Sequence, residues 1–230
     1  MMRHPDPSVL SMSGRVVSVN AGMPREVRDG ERVVRTSIWK APVAGRVAIR
    51  GINVAGDEQS DRSVHGGPRK AVYAYASEDL EWWSVELGRP IGPGTFGENL
   101  TLAGIDVTGA RAGERWRVGS AVLEVTQPRL PCFKLELRME QPGFIERFIA
   151  GCRPGAYLAI VDPGEVAAGD PAIVLWRPED APTMGTPHAA EGEGGVILSG
   201  GCGTRSSSAT RCRRRRSTTP AGCPPRHPAG

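Results

Sequence analysis

A chain of 230 residues, 39% hydrophobic and 23% charged, is long enough for one domain of about 150 to 200 residues and can bury its core without staples. The formal charge of +4 is carried by the end of the chain: residues 183–230 hold seven Arg against two Glu, while residues 1–182 hold 22 Lys and Arg against 23 Asp and Glu. A basic partner surface spread over the body is therefore excluded. Of five cysteines, Cys202, Cys212 and Cys223 fall in the last 30 residues, which leaves Cys132 and Cys152 for the body, too few for a disulfide framework. No CxxC or HExxH spacing occurs, so a structural zinc site is not expected. Met1 to Ser8 lacks the apolar core of a signal peptide, and no run reaches the ~20 apolar residues that span a bilayer. The expectation is a cytoplasmic protein with reduced thiols.

Residues 14–19 read as a first strand, and Asp29-Gly30 marks a turn between 25–27 and 33–38, the pattern of a hairpin. A strand fits 46–49, a polar loop runs from Asn53 to Pro68, and 71–75 returns to strand pattern. Ser77 suits the cap of a helix with Glu78 and Asp79 near its positive end, Leu80, Trp83 and Leu87 on one stripe, and Gly88 as its stop. Short strands follow at 100–102, 115–118 and 121–126. Two helices come next, one from about Pro131 and one from Pro142 with Phe144, Ile145, Phe148 and Ile149 on one face. Strands at 157–161 and 172–176 complete the pattern. Many short strands with Gly and Pro turns and three helices predict a mainly β fold, a small barrel decorated by helices.

Ala112-Gly113-Glu114 and Ala168-Gly169-Asp170 enter two strands through the same turn chemistry, too short a match for a repeat. From Thr183 onward Gly, Ser, Thr, Pro and Arg dominate, and residues 183–230 are expected to be disordered because they offer little apolar surface to bury. Such a tail lacks aromatic residues for stacking on bases, so nucleic-acid binding through it would be weak and salt-sensitive.

Gly92 to Gly97 matches GxGxxG, but no strand precedes it and no helix follows, so it is not a dinucleotide site. In His65-Gly66-Gly67-Pro68-Arg69-Lys70, two glycines could turn backbone N–H groups toward an anion beside a His and two cations; a plain turn explains the same residues. Glu98 and Asn99 could bind the edge of a heterocycle or satisfy loop backbone. The segment Gln127-Pro128-Arg129-Leu130-Pro131-Cys132-Phe133-Lys134 carries the most chemistry. Pro128 should end a strand and Pro131 should start a helix, so Cys132 would lie in a first turn where the dipole, Arg129, Lys134 and Arg138 favour a thiolate. Such a cysteine is reactive or ligates metal, or else it is a small buried hydrophobe.

Gly56-Asp57, His65-Gly66-Gly67, Phe96-Gly97-Glu98-Asn99-Leu100, Ala112-Gly113-Glu114 and the 127–134 segment, in this order, resemble the MOSC family, named for the C-terminal domain of molybdenum-cofactor sulfurase. The resemblance covers residues 14–178, and it is closest to small bacterial members that reduce N-hydroxylated bases such as 6-hydroxylaminopurine. Glu114 stands where Asp is more usual, and the tail does not resemble the helical C-terminal segment typical of those reductases. The resemblance implies a MOSC-type β-barrel that binds the molybdenum cofactor, a molybdopterin, with Cys132 as metal ligand and catalytic residue. Asp57 and Glu98 would orient loops or relay protons, and His65, Gly66, Gly67, Asn99, Arg129, Lys134 and Arg138 would hold cofactor. The alternative it leaves is a sulfur carrier that accepts a persulfide at Cys132. Expected partners are a small N-hydroxylated substrate and either an electron-donor protein or a cysteine desulfurase. Pyridoxal phosphate enters by family association only, since the chain has no obvious Schiff-base lysine motif.

Overall fold

The computed structural model describes residues 13–60 and 66–186. His65 and the tail from residue 187 on, with the disorder expected of it, lie outside the described residues. In chain order the elements are β1 (Ser13–Ala21), β2 (Arg25–Asp29), β3 (Arg32–Thr36), β4 (Ala41–Pro42), β5 (Val47–Arg50), β6 (Asn53–Val54), β7 (Val72–Ala76) and α1 (Ser77–Leu87). Then come β8 (Leu100–Ala103), β9 (Arg115–Val118), β10 (Ala121–Pro128), α2 (Phe133–Met139), α3 (Phe144–Ala150), β11 (Ala156–Asp162), β12 (Gly164–Val166) and β13 (Pro171–Trp176).

Strands β13, β9, β10, β11, β7, β8 and β1 follow one another in a sheet, and β1 pairs back onto β13, which closes a seven-stranded barrel and removes its edges. All of these pairs are antiparallel except β7 with β8, whose connection passes through α1. A shift of register between Val16 and Ser18 bends β1, so that its far end leaves the barrel to pair with β4. Small sheets of β12, β5 and β6 and of the β2–β3 hairpin stand beside it. The hairpin turns on Gly30 and Glu31, one residue later than Asp29-Gly30 suggests, with Gly30 at φ 60°. Strand β12 and short β6, the latter inside the predicted polar loop, are too brief to leave a periodic signal.

Two apolar clusters hold this together. Alternate residues of the barrel strands, among them Leu102, Trp116, Leu123 and Leu158, fill its interior. The second cluster joins the outer face of β7 to the three helices through Tyr75, Trp83, Phe96, Phe144 and Phe148. Trp83 lies parallel to Phe148 at 5.9 Å, and its indole N–H donates to the Tyr75 hydroxyl at 2.9 Å. Ser77 is the first residue of α1 and caps nothing; Ala76 holds the cap position, and Gly88 in the left-handed conformation closes the helix as predicted. The boundary expected at Thr183 also moves: Arg111 bridges Thr183 and Met184 is buried in the barrel core, so the packed body reaches Thr186. The signal was lost because one apolar residue makes no period. Among the described residues no helix is long and apolar enough to cross a membrane.

Two fully buried carboxylates hold loops in place. Glu114 receives Arg177 Nε at 2.7 Å, Trp116 Nε1 at 2.8 Å and the Arg111 amide at 3.1 Å, so its charge is paired and its oxygens are satisfied. Glu98, expected in the site, faces the protein instead: it accepts from the Gly94 amide at 2.6 Å, the Phe96 amide at 3.0 Å and Thr101 Oγ1 at 3.1 Å. Burial pushes its carboxyl up to about 7.

Removing the Trp83 ring should leave a cavity between barrel and helices, so Trp83→Ala is expected to cost about 3–5 kcal/mol in urea unfolding, and Trp83→Phe clearly less. Glu98 gives a pH prediction. The folded carboxyl keeps its proton up to about 7 while the unfolded one loses it near 4.5, so its contribution to stability falls as pH rises between these values. Glu98→Gln cannot ionise and should therefore be more destabilising at pH 5 than at pH 8, by roughly 1–3 kcal/mol. Equal costs at both pH values in paired unfolding curves would refute this account of Glu98.

Candidate functional site

A cleft of about 110 Å³, room for several waters or part of a larger ligand, opens at one end of the barrel. Its walls come from five places: Ser37 and Lys40 after β3, Asp57 and Gln59 after β6, Lys70 just before β7 with Tyr73 at its start, Asn99 before β8, and Arg129 and Cys132 after β10 with Lys134 in the first turn of α2. Tyr157 of β11 completes it.

Asp57 is the fixed point of one wall. Its Oδ1 accepts from the Gly22 amide at 3.0 Å and from Lys40 Nζ, and its Oδ2 accepts from Asn99 Nδ2 at 2.9 Å. The Lys40 and Asp57 side chains are 9% and 4% exposed, so this is a buried ion pair whose second oxygen is also satisfied. Burial lowers the pKa of Lys40, and Asp57 beside it works in the opposite direction without cancelling the effect. Asn99 is anchored in turn: its carbonyl accepts from the Tyr73 amide at 3.1 Å and its amide also donates to the Asn20 carbonyl at 3.3 Å. Both amide protons are used, so Asn99 positions Asp57 and is not the free cofactor contact expected of it.

The opposite wall is cationic and aromatic. Arg129 is buried, donates to the Phe96 carbonyl and lies over the Tyr73 ring at 5.2 Å. Burial opposes its charge, yet Tyr73, Tyr157 and Cys132 around it raise its pKa, so the guanidinium stays protonated. Cys132 is partly exposed and is the N-cap of α2 at φ −136°, ψ 171°, not a residue of the first turn, because the helix starts at Phe133. Pro131 therefore bends the chain ahead of the helix. Lys134 lines the cleft with Cys132.

The cleft thus brings together Cys132, Asp57, Asn99, Arg129 and Lys134 from the expected set. It does not include Glu98 or Arg138; the latter stands one turn beyond Lys134 on α2 and lies over the Trp39 ring at 5.8 Å. Gly66 and Gly67 also stay out of it, and the Gly67 amide, which an anion would need, donates to Gln59 Oε1 at 2.8 Å.

Sequence reasoning missed Ser37, Lys40, Gln59, Tyr73 and Tyr157. One signal was available: the chain has three lysines, Lys40, Lys70 and Lys134, against 26 arginines, and all three line this cleft. Ser37 adds a further observation. It is 8% exposed, and its Oγ is buried without a hydrogen-bond partner among the described residues, which costs about 1–3 kcal/mol unless a ligand supplies one. Among the described residues no three His, Cys, Asp or Glu side chains gather as a metal-binding group, so a metal held here by Cys132 would bring further ligands with it.

The sequence matches the MOSC domain over residues 61–172. It is 34% identical over 164 residues to YflK of Bacillus subtilis, an uncharacterised protein, an alignment that covers 71% of this chain and 74% of YflK. It is 31% identical over 181 residues to a protein of Gibberella moniliformis named reductase, covering 76% of this chain and 32% of that much longer one. The crystal structure of YiiM from Geobacillus stearothermophilus superposes with a TM-score of 0.60 at 31% identity and covers 75% of this chain and 80% of that one. A relative of this similarity aligned over most of both lengths, and a domain match centred on the barrel, mean that the chain belongs to the MOSC domain family.

Proposed function

We propose that the cleft binds the molybdenum cofactor through Cys132 and that the loaded protein reduces N-hydroxylated compounds. The observation that carries this reading is a partly exposed thiol in a cleft that also holds Lys40, Lys70, Lys134 and Arg129, with the unpartnered Ser37 hydroxyl in its wall. The residues fit the group. Cys132 Sγ is a soft ligand suited to the metal, Arg129, Lys70 and Lys134 can meet a phosphate, and Ser37 Oγ can take a hydrogen bond that the protein does not supply. The likeness to a protein named reductase supports the reaction class.

The bound cofactor would supply two-electron chemistry. Cleavage of R–NH–OH to R–NH2 and water consumes two electrons and two protons; the electrons would come from a separate donor protein. The chain's own part is to hold the metal at Cys132, to fix the oxygen-bearing end of the substrate against the Asp57 wall, and to keep Tyr73 and Tyr157 packed behind the thiol so that bulk water stays out. Tyr73 and Tyr157 stand 5.1 Å apart, and burial raises both phenols above their usual range, so they remain neutral hydrogen-bonding surfaces. A working thiol suits the reducing cytoplasm. Pyridoxal phosphate we assign to a sulfur-donating partner enzyme and not to this cleft.

Protein purified from a host that makes the cofactor should contain near-stoichiometric molybdenum and pterin by elemental and fluorescence analysis. Cys132→Ser should lose metal by about tenfold or more, since even outer contacts of metal ligands are worth that much. Cys152→Ser should keep it. A metal-free protein that gains a persulfide at Cys132 in mass spectra would overturn the reading in favour of a sulfur carrier.

A further inference from the structure

Cys132 is not the only ionisable group in the cleft whose placement needs a reason. Lys40 has a buried side chain, it lines the cavity, and its ammonium meets the carboxylate of Asp57. Among the described residues Asp57 is the sole hydrogen-bond partner of Nζ, so one of three donors is used. A surface anchor for a phosphate has no need of such a mount.

The mount is built from distant parts of the chain. Asp57 is held by the Gly22 amide and by Asn99, and Asn99 is held by the Tyr73 amide. The carboxylate therefore cannot follow Nζ if the ammonium moves. The residue type also matters. In a chain with 26 arginines and three lysines, a buried cation that had only to be positive could be arginine, which pairs with carboxylate in a bidentate fork. What lysine offers and arginine does not is a proton it can release.

We infer that Lys40 is a catalytic residue that donates a proton to the leaving oxygen of the N–OH group, with Asp57 and Asn99 as positioning residues. This rests on the reductase reading above. In the balance of that reaction, two electrons from the donor protein and one proton from solvent go to nitrogen and the N–O bond. The Nζ proton goes to the departing oxygen, which leaves as water and not as hydroxide. Burial stabilises the neutral amine left behind, Asp57 favours its recharging, and solvent returns the proton. The other charged groups that act on Nζ are Glu98, which favours the ammonium, and Arg129, which opposes it. Lys70, Lys134, Glu58 and Cys132 face the same cleft.

The test uses the full chain in two forms. In the metal-free protein, the Lys40 13Cε resonance followed by NMR against pH should titrate below the ordinary lysine value of 10.5, and Asp57→Asn should move that midpoint lower still. In the cofactor-loaded protein, Lys40→Arg should keep its molybdenum but lose turnover of a hydroxylamine by about 100-fold or more. The alkaline limb of the pH–rate profile, which should match the NMR midpoint, should vanish with it. A midpoint at the ordinary value, turnover within threefold of wild type, or loss of molybdenum in Lys40→Arg would each overturn the proton-donor role; the last would make Lys40 an anchor for the cofactor. A loaded wild-type protein that reduces no hydroxylamine would instead refute the reductase reading, and the proton-donor role with it.

Discussion

The carboxylate of Asp57 is where four separate stretches of this chain meet. It takes a backbone N–H from the end of β1, an ammonium from the segment after the hairpin and an amide from the approach to β8, while sitting itself in the loop after β6. Removing one charge of a buried pair costs more than the pair contributes, because the survivor keeps its desolvation penalty. A cleft wall assembled this way is rigid for the same reason that it is costly to disturb.

The rest of the architecture presents that wall to a thiol. The neighbouring pairs β10–β11, β11–β7, β7–β8 and β8–β1 bring both chain-distant walls of the cleft to one rim. The bend in β1 then carries Asn20 and Gly22 past the barrel to the cleft, and β10 runs on to Pro128 so that Arg129 and Cys132 emerge opposite them. Helix α2 cannot drift, because Leu135 and Met139 are locked into the aromatic cluster around Trp83 and Phe148. Glu98 acts on the same rim from behind. It grips the loop whose Phe96 carbonyl receives Arg129, so a carboxylate with no exposure to ligand still decides where a cleft cation lies.

Much of this was legible in the chain. Alternating apolar residues with Gly and Pro turns marked nearly every barrel strand, the stripe Leu80, Trp83, Leu87 marked α1, and Gly88 marked its end. Cys132 stood out because it follows Pro131 among cations, and Asp57 only through the family resemblance that Gly56-Asp57 helps to carry. Glu98 and Asn99 were recognisable as important residues, but whether a carboxylate faces a ligand or its own loop depends on which side of the strand approach it leaves from, and residue type carries no such information. Arg138 shows the same limit: it shares a helix face with Lys134 but stands one turn further along α2, and four-residue spacing does not say how far along the helix a cleft reaches.

By itself, then, the sequence determined the fold class, the order of the barrel strands and helices, and a cysteine placed between strand and helix, because these follow from local periodicity and turn chemistry. Only tertiary structure decided that Lys40, a lysine with no motif around it, is buried against Asp57 beside that thiol. It also decided that the Ser37 hydroxyl has no partner among the described residues and that the Gly67 amide is already taken by Gln59. Desolvation and hydrogen-bond satisfaction are properties of a residue's surroundings, and those surroundings come from strands and loops that pairing within the barrel brings together across long stretches of chain.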